Sequence, residues 1–305
     1  MSNEIVVDAL MPPDMAEKLE GVGVKKVGLD FWSMFVLAVL AGAFIALGGE
    51  FFTLVTTKSG LSFGMNRLVG GLAFCLGLIL VVVAGAELFT GNNLIVVAWV
   101  SGKVSLGQLM RNWIIVYFGN LVGSLITVML MYLTRQWTLD SYGVGVTALN
   151  IANAKVSLTF ADALARGIMC NALVCLAVWL CLSARSVVDK ILAIVFPITA
   201  FVASGFEHSV ANMYFIPLGM LLKEEPEVLK AAGKTAADLV NLSWQGFLVG
   251  NLLPVTIGNI FGGGFMVAAV YWFIYRRLRV GKRYGPKQVV ELFVGSPANQ
   301  DASKQ

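Results

Sequence analysis

The chain alternates between long apolar runs and short polar links. A helix needs roughly 20 apolar residues to cross about 30 Å of hydrocarbon, and six runs are long enough to do so. The pattern therefore predicts six membrane-spanning helices. We place them at about residues 31–52, 68–100, 109–133, 160–182, 188–222 and 247–274.

Two of these runs are interrupted by glycine and polar residues at the depth where hydrocarbon would lie. The second run breaks at residues 84–92 and the fifth at residues 204–209, and the motif of the fifth extends to residue 212. Both breaks follow the pattern small-Gly-x-Glu-x-x-x-x-Asn, where x is any residue. The two copies are 120 residues apart. Paired interrupted helices in the two halves of a membrane protein point to a substrate path near the midplane.

A second pair of matching segments indicates an internal repeat. Residues 119–123 in the third run read Gly-Asn-Leu-Val-Gly, and residues 258–262 in the sixth read Gly-Asn-Ile-Phe-Gly. Chance similarity between small-residue motifs is the alternative, but two pairs occur in the same order. Because each half has three spans, an odd number, the second half enters the membrane from the opposite face. We therefore predict an all-α integral membrane protein with six helices in an inverted 3+3 repeat, helices 2 and 5 being broken.

The composition agrees with a membrane protein. Of the 305 residues, 58% are hydrophobic and 13% are charged, and the mean hydropathy is +0.80, whereas a soluble domain has about 25% charged residues. The four cysteines lie in apolar runs and lack the spacing of a metal site or a disulfide framework. We predict no metal, no cofactor and no nucleic-acid partner.

The two tails flank a single membrane domain. Residues 1–30 are predicted to form a soluble tail with a short amphipathic helix after Pro12 and Pro13, residues 31–277 the membrane domain, and residues 278–305 a second tail. The mixed charge and the two prolines argue against a cleaved signal peptide. Most lysines and arginines fall on the side of both termini, so the positive-inside rule predicts that both termini are cytoplasmic.

His208 is the only histidine, and it lies beside Glu207 in the second break. A hydrogen-bonded core histidine is the alternative to a functional one, but ionisable residues inside a membrane are usually functional. An imidazole in an apolar span can donate a hydrogen bond or a proton to a small passing anion. Thr90 lies in the first break, where the pseudo-two-fold axis would bring its hydroxyl close to His208.

Glu87 and Glu207 are predicted to have structural roles. Asn92 and Asn212 each follow their glutamate by five residues. Because the backbone groups freed by a break need partners, we expect the asparagines to orient the carboxylates and to cap the resumed half-helices.

Lys155, in the polar link before the fourth run, is either a solvated charge or a cation that draws anions into a pore mouth. Asp162 and Arg166 are one helical turn apart and are predicted to pair with each other. Large apolar side chains near the breaks are either ordinary packing or hydrophobic constrictions around the polar centre. They are Phe74, Leu78, Leu88, Phe89 and Phe201.

A membrane-embedded enzyme with Glu207 and His208 as acid and base is an alternative from another functional class. No Walker loop, GxSxG, HExxH or dinucleotide fingerprint occurs in the sequence. We therefore predict that the chain is not an enzyme. Water or glycerol conduction of the aquaporin type is a further alternative, but the Asn-Pro-Ala pair of that family is absent.

The motifs at the two breaks resemble the two signatures of the formate/nitrite transporter family. They are residues 84–90, Ala-Gly-Ala-Glu-Leu-Phe-Thr, and residues 203–213, Ala-Ser-Gly-Phe-Glu-His-Ser-Val-Ala-Asn-Met. The resemblance covers about residues 30–275 and hardly includes the tails. It continues through residues 112–113, 116–123, 174–179, 216–219 and 254–260.

The resemblance implies an aquaporin-like protomer in a homopentamer, surrounded by the lipid of the bacterial inner membrane. It implies that Thr90 and His208 form the polar centre with Glu207 beside them, that Asn171 lies near the path, and that Lys155 lies in the outer vestibule. It also implies an amino-terminal helix that obstructs the cytoplasmic mouth at acidic pH, and contact with a cytoplasmic formate-producing enzyme. The residues implied to line the constrictions are Phe74, Leu78, Leu88, Phe89, Val174 and Phe201.

The function implied by the resemblance is the passage of formate. We expect His208 to hydrogen-bond or protonate the anion between two apolar constrictions, while Lys155 attracts it and Thr90 orients it. Nitrite, hydrosulfide or another small monovalent anion is the alternative cargo, because such a path sorts anions by size and charge. A passive channel and a proton symporter both fit this mechanism.

Overall fold

The computed structural model describes residues 9–277, and every regular element in this range is helical. Residues 1–8 and the predicted tail of residues 278–305 lie outside the described part. We number the helices α1 (Pro12–Val27), α2 (Phe31–Thr56), α3 (Phe63–Ala84), α4 (Phe89–Val100), α5 (Leu106–Leu133), α6 (Gly143–Val156), α7 (Phe160–Ser183), α8 (Val187–Ala203), α9 (Ser209–Leu222), α10 (Pro226–Ala232) and α11 (Gly246–Tyr275).

The apolar runs of the sequence form the long helices of the structure. Among the described residues, five helices are long and apolar enough to cross a membrane, namely α2, α3, α5, α7 and α11. The shorter apolar helices α4 and α9 follow the two predicted breaks. α8 and α9 together occupy the fifth predicted run, so both interruptions occur where the sequence places them.

Each break begins at a glycine with a left-handed backbone. Gly85 has a φ of 83° and Gly205 a φ of 73°. The residue after each glycine donates its N–H back to a carbonyl of the last helical turn, at 2.9 Å and 3.1 Å. A Cβ in this conformation costs about 1–2 kcal/mol, so glycine lets the chain leave the helix without strain.

Two further glycines let pairs of long helices approach closely. A Cβ at Gly123 of α5 would lie 1.9 Å from the carbonyl oxygen of Val39 on α2. A Cβ at Gly262 of α11 would lie 2.1 Å from the carbonyl oxygen of Ile168 on α7. Small residues at such positions are typical of packed membrane helices. The matching sequence segments 119–123 and 258–262 therefore make matching helix contacts.

The links that we predicted as polar connections also contain helices. α6 fills most of the link before the fourth span, and α10 lies in the link before the sixth. α6 is anchored by buried side chains that include Val144, Ala148 and Leu149. Because these apolar residues share the link with polar ones, a helix can bury one face and leave the other in a cavity, and Lys155 lies near its end.

The predicted ion pair between Asp162 and Arg166 does not form within the described chain. Thr159 caps α7, since its hydroxyl oxygen accepts the N–H of Asp162 at 3.1 Å and donates to the Asp162 carboxylate at 2.7 Å. Capping residues compete with side-chain pairs for a carboxylate in the first turn. Asp162 is thus held at the helix end, and Arg166 lines a cavity instead.

A buried carboxylate attaches α1 to the membrane domain. Glu20 is fully buried and accepts hydrogen bonds from Ser101, Lys103 and Arg276, and Arg276 reaches both carboxylate oxygens at 2.9 Å. Burial alone would raise the pKa of Glu20. The hydrogen bonds from Arg276, Lys103 and Ser101 outweigh burial and hold this pKa below its ordinary value.

We expect α1 to stay docked at neutral pH and to loosen only when the pH falls through the lowered pKa of Glu20. A carboxylate whose pKa is depressed by folding contributes stability above its unfolded-state pKa, here 4.5, and that stability is lost as it becomes protonated. EPR of a nitroxide on Met11→Cys measures the release, because Met11 is exposed and the four native cysteines are buried. Glu20→Gln should loosen α1 at neutral pH, and an unchanged pH profile in this variant would contradict the role of Glu20.

Candidate functional site

An asparagine of α5 supports the first break. The side-chain oxygen of Asn120 accepts the N–H of Phe89 at 2.9 Å, so the first residue of α4 has a partner. Its side-chain nitrogen donates to the carbonyl oxygens of Glu87 at 2.9 Å and Ala38 at 2.7 Å. One buried amide thus satisfies backbone groups that the interruption of the helix frees.

An asparagine of α11 supports the second break in the same way. The side-chain oxygen of Asn259 accepts the N–H of Ser209, the first residue of α9, at 2.9 Å. Its side-chain nitrogen donates to the carbonyl oxygens of Glu207 at 3.0 Å and Gly167 at 2.8 Å. The two asparagines belong to the matching sequence segments, and their hydrogen bonds match as well.

The Glu87 carboxylate is buried and paired. Lys26, near the end of α1, lies 2.7 Å from one carboxylate oxygen, and Asn92 donates to the other at 2.7 Å. Asn92 also donates to the side-chain oxygen of Asn112 at 2.9 Å. The prediction that Asn92 orients Glu87 is confirmed. The prediction that it caps α4 is wrong, because Asn120 reaches across from α5 to do so.

The Glu207 carboxylate has the corresponding partners. Lys155 lies 2.9 Å from one oxygen, and Asn212 donates to the other at 2.7 Å. Asn212 also donates to the side-chain oxygen of Asn251 at 2.7 Å. Asn212 therefore orients Glu207 as predicted, but it does not cap α9, because the side chain of His208 occupies that position.

The backbone at the two breaks follows the same scheme as the side chains. The N–H of Glu87 donates to the carbonyl oxygen of Leu37 on α2 at 3.2 Å, and the N–H of Glu207 donates to that of Arg166 on α7 at 3.3 Å. The lysine contacts match as well: α1 supplies the lysine that pairs with the glutamate of the first break, and α6 supplies the one for the second break.

Thr90 and His208 meet across the two breaks. The hydroxyl oxygen of Thr90 lies 2.9 Å from Nε2 of His208, and both residues are buried. The other ring nitrogen, Nδ1, accepts the N–H of Ala211 at 3.0 Å. A backbone N–H can only donate, so in the neutral ring Nδ1 carries no proton and Nε2 carries one. The Thr90 oxygen can accept from this Nε2–H, which leaves the hydroxyl proton free for a further acceptor.

Two cavities lie at the two breaks, one at each, and no described residue lines both. The Lys155 cavity has a volume of about 230 Å³, and its wall includes Lys155, Glu207 and His208. The Lys26 cavity has a volume of about 370 Å³, and its wall includes Lys26 and Glu87. Each Lys–Glu pair therefore faces its own cavity.

Four of the predicted constriction residues divide between the cavities. Phe74 and Phe201 line the Lys155 cavity, and their rings meet edge to face with centroids 5.7 Å apart. Phe201 also stacks against the ring of His208, with a centroid distance of 6.0 Å. Leu78 and Leu88 line the Lys26 cavity. Each wall thus combines apolar side chains with a Lys–Glu pair.

Besides Thr90 and Asn212, three other predicted residues are buried and belong to neither cavity wall in the described chain, namely Phe89, Val174 and Asn171. Phe89 packs edge to face against Tyr117, with centroids 4.9 Å apart. Asn171 donates to the backbone carbonyl of Thr90 at 3.2 Å. Asn171 can therefore position Thr90 from behind, and direct contact of these three residues with an anion stays a prediction.

The chain matches known proteins over most of its length. A family model described as formate/nitrite transporter matches residues 13–273. The chain belongs to the formate/nitrite transporter family. The formate channel FocA of Escherichia coli strain K12 is 47% identical over 273 residues, which cover 88% of this chain and 96% of that protein. FocA of Haemophilus influenzae is 40% identical over 262 residues, which cover 85% of this chain and 92% of that protein.

A solved structure of the formate/nitrite transporter family has the same fold. It is described as a pentameric formate channel with formate bound, and it superposes with a TM-score of 0.76 at 47% identity. The match covers 80% of this chain and 97% of that chain. The family and these relatives are channels and transporters, so the alternative of a membrane-embedded enzyme is set aside.

The sequence analysis of this family member missed Lys26, although a signal for it exists. Lys26 precedes Phe31 by five residues, and Lys155 precedes Phe160 by five residues. Phe31 and Phe160 begin α2 and α7, the first spans of the two predicted halves. Extending the repeat into the tail would have paired the two lysines and predicted a second Lys–Glu contact.

Proposed function

We propose that this chain is a formate channel in which the anion passes between the Lys155 cavity and the Lys26 cavity at Thr90 and His208. The observation that carries the proposal is the buried contact between these two side chains, one from each break. The relatives named formate channels, one of them solved with formate bound, support formate as the cargo.

The proposed architecture is an aquaporin-like inverted 3+3 repeat of six spans, with α3–α4 and α8–α9 as the broken ones. It is supported by the shared bonds of Asn120 and Asn259 and by the two Lys–Glu–Asn–Asn clusters. We further propose that the protomers form a pentamer, as the solved relative does. The positive-inside rule then places both termini and the Lys26 cavity on the cytoplasmic side.

At the centre, the anion is proposed to accept hydrogen bonds from the Thr90 hydroxyl and from Nε2–H of His208. An anion that loses water among Phe and Leu side chains is strongly destabilised, and charge-assisted hydrogen bonds are the strongest replacement that neutral side chains can offer. The neutral His208 ring has one N–H, which would turn from the Thr90 oxygen to the anion as the anion arrives. Binding therefore does not require a charged imidazole.

Proton transfer from His208 to the anion is a separate and more demanding step. The ring must first carry a second proton, and that proton would occupy Nδ1, to which the N–H of Ala211 now donates. The amino-terminal cap of α9 would therefore have to open. Passage as a hydrogen-bonded anion is the simpler route, and proton-coupled passage requires movement at the start of α9.

The two lysines are proposed to guide the anion into the cavities. Each ammonium group is held 2.7–2.9 Å from a buried carboxylate and lines its cavity. A lysine paired in this way offers hydrogen-bond donors while a carboxylate balances its own charge, so it attracts an anion and still releases it.

α1 supplies Lys18, Val22 and Lys26 to the wall of the Lys26 cavity, which supports a role for this helix in closing that mouth. The lowered pKa of Glu20 keeps its carboxylate charged at mildly acidic pH. A gate that responds to mild acid would therefore have to sense the pH through other groups than Glu20.

The proposed function is tested by removing the hydroxyl at the centre. Thr90→Val should lower the initial rate of radiolabelled formate uptake into liposomes by roughly tenfold, because it deletes one hydrogen bond to a charged group. Thr90→Ser keeps a hydroxyl and should retain most of the uptake. Wild-type protein that moves nitrite or hydrosulfide but not formate would change the cargo, and folded protein that moves none of them would contradict the proposal.

A further inference from the structure

The wall of the Lys155 cavity holds two arginines for which the proposed path has no use. Arg67 of α3 and Arg166 of α7 line this cavity together with Lys155. Glu207 is the carboxylate in the wall, and it is already paired with Lys155 at 2.9 Å. The two guanidinium groups therefore give this cavity an excess of positive charge.

Arg67 has a structural role that leaves part of its guanidinium unused. Its Nε donates to the carbonyl oxygen of Ala203 at 2.8 Å, and its Nη2 donates to that of Val202 at 2.9 Å. The carbonyl of Ala203 lies at the end of α8, where a helix leaves it without a helical partner. The carbonyl of Val202 also accepts the N–H of Gly205 at 3.0 Å. Its Nη1 makes no hydrogen bond to the part of the chain that the structure describes.

The Arg166 side chain has no hydrogen bond or ion pair with residues 9–277. Asp162, the acid one turn away, is engaged by Thr159. Arg166 is exposed, lies in the cavity wall, and is close enough to Arg67 for the two positive charges to repel each other. An anion that contacts both guanidinium groups would relieve this repulsion.

The repeat indicates that a break of this kind can form without arginines at these two positions. Arg166 corresponds to Leu37, because their carbonyl oxygens accept the equivalent N–H groups of the two glutamates. Arg67 corresponds to Val187, because these two residues are 120 positions apart, as the two breaks are. The half of the chain that forms the Lys26 cavity therefore makes the same backbone bond at its break with apolar residues at both positions. The two arginines line the Lys155 cavity only.

We infer that Arg166, with Arg67 beside it, forms a docking site at the mouth of the Lys155 cavity for a planar anion with two equivalent oxygens. A guanidinium group offers two parallel N–H donors that match such an anion. Formate and nitrite share this shape, whereas hydrosulfide and chloride cannot accept two parallel bonds. The inference rests on the proposed function, because the docked anion is the cargo that then moves towards Lys155 and His208.

The test compares the concentration dependence of uptake in oriented liposomes, with the anion added on the side of the Lys155 cavity. Arg166→Gln should raise the half-saturating formate concentration roughly threefold to fivefold, the scale of an exposed charge pair. Arg166→Lys keeps the charge but loses the fork, so it should weaken formate uptake and leave hydrosulfide uptake near the wild-type level. Arg135→Gln is the matched control, since it removes an exposed arginine that does not line this cavity.

A binding measurement separates this inference from the proposed function. Saturation-transfer NMR on detergent-solubilised full-length protein reports formate binding whether or not the protein conducts. Weaker binding in Arg166→Gln than in wild type and Arg135→Gln would support the site even if no flux were found. Equal formate binding in all three proteins would overturn it. Equal half-saturating formate concentrations would do the same, if the three proteins conduct.

Discussion

Replacing His208 by phenylalanine is expected to lower formate flux by about tenfold to a hundredfold. The anion would lose the Nε2–H donor in a buried, largely apolar part of the path, and a hydrogen bond to a charged group contributes about 1.5–3 kcal/mol. Phenylalanine keeps an aromatic ring next to Phe201, which now stacks on His208 at 6.0 Å. The initial rate of radiolabelled formate uptake, at matched protein content per liposome, measures the loss.

His208 also caps α9, so the variant needs a control for folding. Nδ1 of His208 accepts the N–H of Ala211 at 3.0 Å, and loss of a cap costs about 1 kcal/mol. His208→Asn supplies an oxygen for the cap but no donor at the position of Nε2. It should keep the wild-type Tm and still lose flux, and wild-type flux in this variant would contradict a role for the donor.

A glutamine at the same position separates hydrogen bonding from proton transfer. His208→Gln retains an N–H donor on a longer side chain, but it cannot carry a proton to the anion. If a neutral donor is sufficient, this variant should keep a substantial part of the flux although it has no imidazole. Loss of flux equal to that of His208→Phe, in a folded protein, would favour obligatory proton transfer.

Replacing Lys155 by methionine is expected to lower the free energy of unfolding by about 3–5 kcal/mol, the range for breaking a buried ion pair. The Glu207 side chain is 5% exposed and the Lys155 side chain 14% exposed. The variant would leave the carboxylate with amide partners alone in a buried site. Thermal unfolding of the solubilised protein measures the effect.

The double variant Lys155→Met/Glu207→Gln is the matched control, because it removes both charges together and should recover most of the stability. Lys26→Met should destabilise less than Lys155→Met, since the Lys26 side chain is 26% exposed and more of its charge is solvated. Additive effects of the Lys155 and Glu207 substitutions would show that the pair is not coupled and would contradict its role in holding the second break.

Much of the fold follows from local patterns in the sequence. The apolar runs predicted the long helices, and the glycines at Gly85 and Gly205 predicted where two of them break. The spacing of five residues predicted that Asn92 would orient Glu87 and Asn212 would orient Glu207. These features depend on residues that are close in the chain, so a pattern of types and spacings is enough to find them.

The remaining features depend on contacts between distant segments. Asn120 and Asn259 marked the repeat in the sequence, but their capping of α4 and α9 depends on how α5 and α11 pack against the breaks. Lys26 reaches Glu87 because α1 folds back onto the membrane domain. The predicted pair of Asp162 and Arg166 failed for a local reason, since Thr159 takes the carboxylate as a cap.

The state of His208 tests the central claim most directly, and it can be observed alone because the chain has only one histidine. We would record ¹⁵N NMR spectra of untagged protein labelled at histidine, before and after addition of formate. We predict a neutral ring with the proton on Nε2, an unprotonated Nδ1, and a shift of the Nε2 signal when formate is added. A doubly protonated ring at neutral pH, or an Nε2 signal that does not respond to formate, would contradict the account.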